Sequence, residues 1–575
     1  MFQIRQPAAT KLKIDMRVVI YDTQQDLFPQ MIDSRDERIV DPVVEPTEDS
    51  FDGFFTIKDA AIWATDHLQR KVSNANISYL INYGKVTKYT RNGAVVIMKD
   101  ELEKYYSTYH GQRQVEWKDK LGDDLNWALS FDNLPEKETT KHVHRLHPYK
   151  GKFIPQLVEY FLDAHTDEFK NEVYFHPGDI VLDPFAGSGT TLVQANEMGI
   201  NAIGIDISSF NAMIDNSKLA KVDLVELQRY VNDITKKLKA YIANSKVTEF
   251  DEELLQALNE FNNKYFPVPE YKYKVTRKEI DPKVYGEEKE KEFLPIYEKL
   301  VAKYGIQLKQ EKQETFLDQW FTQQIRDEIE FVYSLIKPIQ NKELHDLLCI
   351  MLSRTMRSCR ATTHSDLATL KEAVTTTYYC SKHGKICKPL FSIIKWWETY
   401  SKDTIQRMQE FSKLRTDTFQ RCLVGDSRTI DIFKEVDAVN PDFGQQLREK
   451  KIKGIFSSPP YVGVIDYHEQ HAYAYDLFQL PRHDDQEIGP LFKGQKKEAQ
   501  ASYVEGIVSV LNHCKKFLVE DYDIFLVAND KYNLYPQIAE GAGMQIVEQI
   551  KRPVLNRTER DKGAYCEIIF HLKKK

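Results

Sequence analysis

Two short stretches hold residues whose types and spacing could do chemistry. One is Ser457-Ser-Pro-Pro-Tyr461, which follows an apolar run, Ile452 to Phe456, and precedes Asp466-Tyr467. Consecutive prolines fit neither a helix interior nor a central strand, so Pro459 and Pro460 predict a rigid loop at a strand's C-terminal end. An amine on an aromatic ring is a poor nucleophile because its lone pair is delocalised. An oxygen that holds its N–H groups favours the pyramidal nitrogen that can attack an electrophile. The Ser458 hydroxyl and the Pro459 carbonyl are placed to accept those hydrogens, and Tyr461 can stack on a base drawn out of a duplex. Such chemistry requires no metal and no strong base. An ordinary Pro-Pro turn is the alternative for these residues taken alone.

The other stretch is Asp179-Ile-Val-Leu-Asp-Pro-Phe-Ala-Gly-Ser-Gly-Thr-Thr-Leu-Val193, which reads as an apolar strand, a glycine-rich turn and a helix start. Gly187 and Gly189 let the backbone approach a ligand closely, with amides facing it from a helix N-terminus. The third glycine of a dinucleotide fingerprint is missing, which lowers the weight of that reading. Asp206 ends the next short strand, Ala202 to Asp206, roughly 20 residues on, where a carboxylate can accept from ribose hydroxyls. A ligand-free βα turn is the bland alternative.

Further strands are predicted at Arg421–Asp426, Ile452–Phe456, Tyr522–Val527, Ile546–Pro553 and Tyr565–Leu572, the last two separated by a charged turn. A helix-like run covers Phe153–Leu162. Between about 219 and 419 charged helices replace the βα alternation. These elements describe one α/β catalytic domain, at 140–218 and 420–575, interrupted by a large insertion. Residues 1–50 end in an acidic, proline-containing linker, and another polar break falls near Pro135.

Taken together, Asp183-Pro-Phe-Ala-Gly-Ser-Gly-Thr-Thr191 and Ser-Pro-Pro-Tyr461 closely resemble the paired motifs of the DNA N4-cytosine and N6-adenine amino-methyltransferases. The resemblance implies a Rossmann-like S-adenosylmethionine-dependent methyltransferase fold with a large, mainly helical insertion. It implies that Ser458, Pro459, Pro460 and Tyr461 are catalytic. It also implies that Asp183, Phe185, Gly187 and Gly189 bind the cofactor, Asp183 and Gly187 near its methionine end, with Asp206 on the ribose and Asp426 near the adenine. Lys150, in His147-Pro-Tyr-Lys-Gly-Lys-Phe-Ile-Pro155, resembles part of the segment that closes over the cofactor. The order of glycine loop, insertion and Ser-Pro-Pro-Tyr is similar to the family's alpha arrangement, in which the insertion (219–419) recognises the target. Serine in the first position points to cytosine N4, with adenine N6 as the alternative. An RNA methyltransferase and an inactive DNA-binding regulator are further alternatives. Double-stranded DNA is the expected partner, with a cognate restriction endonuclease as a further one.

Residues 51–110 read as helix, helix, a hairpin around Arg91-Asn-Gly93, then helix, a pattern that resembles the winged helix-turn-helix of MerR-like and excisionase proteins. A small docking domain is the alternative. Within the insertion, Lys272 and Arg277 lie in a basic, aromatic-rich stretch, and Arg354, Arg357 and Arg360 recur at helical spacing. With Arg91 these are the candidate DNA contacts, although solvated surface helices look alike. Cys380-x-x-His383-x-x-x-Cys387 could close a structural zinc site with Cys359 or His364 as the fourth ligand; buried thiols without metal are the alternative.

Composition excludes little beyond this. The 575 residues carry 42% hydrophobic and 29% charged side chains, with seven cysteines and a net charge of −7. No apolar run approaches a membrane span, and the first 16 residues lack a signal-peptide core. A cytoplasmic, nucleoid-associated protein with reduced thiols is expected. The acidic total does not exclude a local basic face for nucleic acid.

Overall fold

The structure is a computed structural model describing residues 53–575, except 107–119, 121–123, 311–313, 367–369, 555–563 and a few positions between 68 and 168. The expected linker at 1–50, the break at Pro135 and the charged turn before the last strand lie outside the described residues.

At the front, β1 (Phe54–Thr56) leads into helices Ile57–His67 and Asn74–Asn82, then β2 (Tyr89–Arg91), β3 (Ala94–Met98) and a helix at 99–106. The hairpin register closes on Arg91↔Ala94. Ala60, Ala61 and Ala64 present a small-residue face on which Ile77, Leu80 and Ile81 pack. The Lys88 amide donates to the Tyr273 hydroxyl at 3.0 Å, tying this module to the insertion.

In the α/β part of the chain, β4 (Ile180–Asp183) and β5 (Asn201–Asp206) come before the insertion, whose own strands are β6 (Tyr378–Cys380) and β7 (Lys385–Cys387). After it come β8 (Gln420–Val424), β9 (Ile452–Ser457), β10 (Leu518–Ala528), β11 (Met544–Pro553) and β12 (Cys566–Lys574). Seven of these form one sheet in the order β11-β12-β10-β9-β4-β5-β8. β12 runs antiparallel to both its neighbours, and the other neighbouring pairs are parallel. Every residue of β4 and β5 is buried, as strands covered on both faces require. Alternation divides the core: Val181, Phe456 and Phe525 face one side, while Ile180, Leu182, Ile455 and Ile524 face the other.

The insertion has two lobes where its sequence suggests one. Helices Leu224–Ala243, Gln323–Ile336, Lys342–Ser358 and Ile394–Ser412 share the Val181 core, through Ile234, Ile329, Leu347 and Trp397 among others. Helices Val247–Tyr265 and Pro282–Tyr304 and the β6–β7 hairpin enclose a separate core of Phe250, Leu254, Phe293, Tyr297, Ile386 and Phe391. The two ends of the insertion are clasped. Arg415 donates to the carbonyls of Leu219 (2.7 Å) and Ala220 (3.0 Å), and Lys221 pairs with Asp417 at 3.1 Å. No helix among the described residues is long and apolar enough to cross a membrane.

Candidate active site

The sheet order reverses between β4 and β9, and open α/β sheets bind ligands at such a switch point, outside the carboxyl ends of the strands. Both chemical motifs sit there. The glycine loop leaves β4 and Ser458-Pro-Pro-Tyr leaves β9, on strands paired Val181↔Gly454 and Leu182↔Ile455. A cleft of about 830 Å³, part of it open to solvent, lies over these ends. Its walls include Phe185, Gly187, Asp206, Asp426, Ser458 and Pro460.

Gly187 and Gly189 adopt φ of +56° and +68°, the left-handed region that glycine enters without strain. A Cβ on Gly187 would stand 2.9 Å from the Tyr149 hydroxyl, and one on Gly189 would stand 2.6 Å from Asp215 Oδ1. Gly189 caps helix Thr190–Glu197 below the cleft. Asp206 organises the loop: its carboxylate accepts from the amides of Gly187 and Ser208, each at 2.8 Å, and from Asn211 Nδ2 at 3.2 Å. Asp183, itself buried beneath the floor, accepts from Ser457 Oγ at 2.6 Å and the Phe185 amide at 3.1 Å. Burial pushes both carboxyls up, Asp183 to about 6 and Asp206 to about 7, against hydrogen bonds that pull them down. Beneath the loop the Lys218 ammonium donates to the Ser188 carbonyl, and burial brings it down to about 8.

On the β9 side, the Ser458 hydroxyl donates to the Val527 carbonyl at 2.9 Å, so its oxygen keeps its lone pairs for an incoming N–H. Tyr461 donates to Glu567 Oε1 at 2.9 Å, which fixes its ring beside the cleft. Burial, then Glu567, raises its phenol well above the usual range. Asp426 is gripped by Arg428, with Nε and Nη2 at 2.7–3.0 Å from its two oxygens. Glu487, which also lines the cleft, accepts from the backbone of Tyr467 (3.2 Å) and His468 (2.9 Å) and orders the loop after Tyr461.

Several expectations need correction. Lys150 is exposed and outside the cleft; Tyr149, Gly151, Lys152 and Phe153 line it instead. Lys152 is half-buried there, its ammonium donating to the His144 carbonyl at 2.8 Å, and loss of solvent around that ammonium lowers it to about 7. Arg354 is no surface contact. It is 5% exposed, pairs with Asp403 at 2.5 Å and lies 4.2 Å over the Tyr400 ring. Arg360 is 8% exposed, donates to the Arg357 carbonyl and lies over Tyr473, whereas Arg357 is half-buried. Arg277 is exposed; Lys272 and Arg91 are half-buried. Cys359 is buried apart from the other proposed metal ligands. The residues gathered with Cys380, His383 and Cys387 are those of the His364 alternative, with ligand atoms all within 4.8 Å of one another.

Sequence reasoning overlooked Glu487 and Gln486, which nothing in their surroundings marks. Tyr149 and Tyr467 stand inside the motif segments themselves, and their rings stack 6.2 Å apart.

Comparison with known proteins agrees with this geometry. The sequence profile described as DNA methylase, of the N6/N4 class, matches residues 12–214. The chain is 49% identical over 523 residues to the type II methyltransferase M.MjaII of Methanocaldococcus jannaschii, covering 90% of this chain and 97% of that protein. Shorter matches are M.MvaI of Kocuria varians, 34% over 119 residues (20% of this chain, 24% of that one), and M.MthZI of Methanothermobacter thermautotrophicus, 33% over 143 residues (24% and 35%). With both motifs at the switch point of one α/β sheet and a relative of this identity aligned over nearly its whole length, the chain belongs to the N6/N4 DNA methylase family of amino-methyltransferases.

Proposed function

We propose that this protein transfers a methyl group from S-adenosylmethionine to the exocyclic amine of a base flipped from duplex DNA, at cytosine N4. One observation carries the reading: the glycine loop and Ser458-Pro-Pro-Tyr meet over one cleft at the ends of adjacent strands. The residues present fit the cofactor. The glycine loop leaves backbone exposed at the cleft floor, and the buried Asp206 presents a carboxylate to it. Asp206 would hold the ribose, Asp183 and Gly187 the methionine end, and Asp426 the adenine, with Phe185 and Gly189 completing the cofactor's seat. When bound, the cofactor supplies a sulfonium-activated methyl group.

The chain's own groups do the rest. Ser458 Oγ and the Pro459 carbonyl accept the two amine hydrogens and orient the nitrogen lone pair into the cleft. Pro459 and Pro460 hold that loop rigid. Tyr461 stacks on the flipped base, its ring fixed by Glu567. Arg357, Arg277, Lys272 and Arg91 contact the duplex backbone, the last from a winged helix-turn-helix whose helix Asn74–Asn82 enters a major groove. The protein works in the cytoplasm on the nucleoid, beside a cognate restriction endonuclease.

Tritiated methyl transfer to duplex DNA and to RNA, followed by mass spectrometry of the digested product, tests this directly. N4-methylcytosine in DNA is the expected product. N6-methyladenine would replace the base assignment, transfer to RNA alone would replace the substrate, and no transfer to either would favour a regulator.

A further inference from the structure

The β6–β7 hairpin is too small to hold its shape alone. Its register pairs Tyr378↔Cys387 and Cys380↔Lys385, and two-stranded hairpins are at best marginal in water. Here the turn brings His383 back over the strands, so that His383 Nδ1 lies 3.4 Å from Cys387 Sγ. A tetrahedral zinc with ordinary Zn–N and Zn–S bonds puts those two atoms about 3.6 Å apart. His364 arrives from a different part of the chain, its ring centroid 4.4 Å from that of His383. The Tyr378 hydroxyl lies 2.8 Å from His364 Nδ1, the kind of outer contact that fixes the tautomer of a ligating imidazole and frees Nε2. Two thiols and two imidazoles, all within 4.8 Å, are a Cys2His2 set.

We propose that His364, Cys380, His383 and Cys387 hold one structural Zn²⁺, and that this ion fastens the outer lobe of the insertion to the catalytic body. The four protein ligands complete the tetrahedron, so no position is left for substrate. The position explains the mechanical role. His364 lies six residues beyond helix Lys342–Ser358, which belongs to the main core and whose Ser353 lies 3.0 Å from His147 Nε2 at the start of the cleft-lining segment. The hairpin instead belongs to the outer lobe. Asn262 brackets Ile386 with two hydrogen bonds (2.9 and 3.0 Å), Glu290 accepts from the Tyr379 amide at 2.8 Å, and a Cβ on Gly286 would overlap the Tyr379 ring. The ion would therefore bridge two hydrophobic cores that the chain otherwise connects through loops.

Metal analysis of the full-length protein tests the site independently of methylation. About one zinc per chain is expected. X-ray absorption should show two sulfur and two nitrogen neighbours, and Co²⁺ titrated into the apo-protein should give tetrahedral d–d and thiolate charge-transfer bands. His364→Ala and Cys380→Ser should each lose zinc, whereas Cys359→Ser should keep it. In hydrogen exchange, chelation of the wild type should expose the hairpin and helix Pro282–Tyr304 while leaving β4 and β9 protected. Wild type that binds neither zinc nor Co²⁺ overturns the site. Zinc kept by His364→Ala but lost from Cys359→Ser overturns the ligand set. Chelation that leaves exchange in the hairpin unchanged overturns the fastening role.

Discussion

The Ser457 hydroxyl donates to the Asp183 carboxylate at 2.6 Å, joining the last residue of β9 to the last residue of β4. This hydrogen bond adds to the β4–β9 ladder at the point where the glycine loop and the Ser-Pro-Pro-Tyr loop leave the sheet. Ser457→Ala should leave Asp183 buried without this partner and lower stability by about 1–3 kcal/mol. A chemical-denaturation curve coinciding with wild type would show that the bond contributes nothing.

Gly187→Val should abolish S-adenosylmethionine binding in a protein that still folds. The position needs positive φ, and even a Cβ crowds the Tyr149 hydroxyl. Calorimetry that finds wild-type affinity in the folded variant would place the cofactor elsewhere.

Tyr461→Ala and Ser458→Ala should keep cofactor affinity near wild type and lower the methylation rate. Loss of stacking on one base costs about 1–3 kcal/mol, or roughly five- to 150-fold. Tyr461→Phe keeps the ring but frees Glu567, so its loss should be smaller than that of Tyr461→Ala. Full activity in Tyr461→Ala would move the reacting base away from this loop.

Without ligand, the folded protein holds protons on Asp183 and Asp206 that an unfolded chain, with carboxyls near 3.8, has released. That contribution to stability is complete below about pH 4 and is lost as pH rises through 6 and 7. With Asp206 in its proposed place on the ribose, cofactor binding would run the other way, because ribose hydroxyls donate best to an ionised carboxylate. Affinity should rise between pH 6 and 8, by at most about tenfold per unit below the pKa of Asp206. Asp206→Asn should bind weakly with a flat profile. A flat calorimetric profile for wild type would contradict the assignment.

Arg354→Ala leaves the half-buried Asp403 with one partner fewer and should lower stability by about 3 kcal/mol, the low end for a buried pair. Arg357→Ala should melt like wild type but bind duplex DNA less tightly, with a salt slope smaller by about 1. Equal melting losses in the two variants would argue that Arg357 too is structural.

These two arginines mark where sequence reading reaches its limit. Helical spacing places 354, 357 and 360 on one stripe, yet whether a stripe meets water depends on its neighbours. Here helix Ile394–Ser412 supplies Tyr400 and Asp403 and closes over Arg354. The strands bearing the motifs were legible because short apolar runs ending in Asp-Pro or Ser-Pro-Pro have few other conformations. His364 and Cys359 both precede the hairpin, and linear spacing does not say which one folds back. The partition of the insertion into two cores depends on long-range packing that leaves no local periodicity.

Ser457 and Asp183 are 274 positions apart. Closing a flexible loop of that length costs on the order of 5 kcal/mol beyond a constant. The clasp of Arg415 on Leu219 and Ala220 changes this, because a folded insertion delivers β8 beside β5 with its ends already together. The helical insertion therefore acts as a spacer of nearly zero effective length. Because the insertion lies between β5 and β8 in the chain, the strand that flanks β4 on its other side, Ile452–Ser457, is synthesised only after the whole insertion.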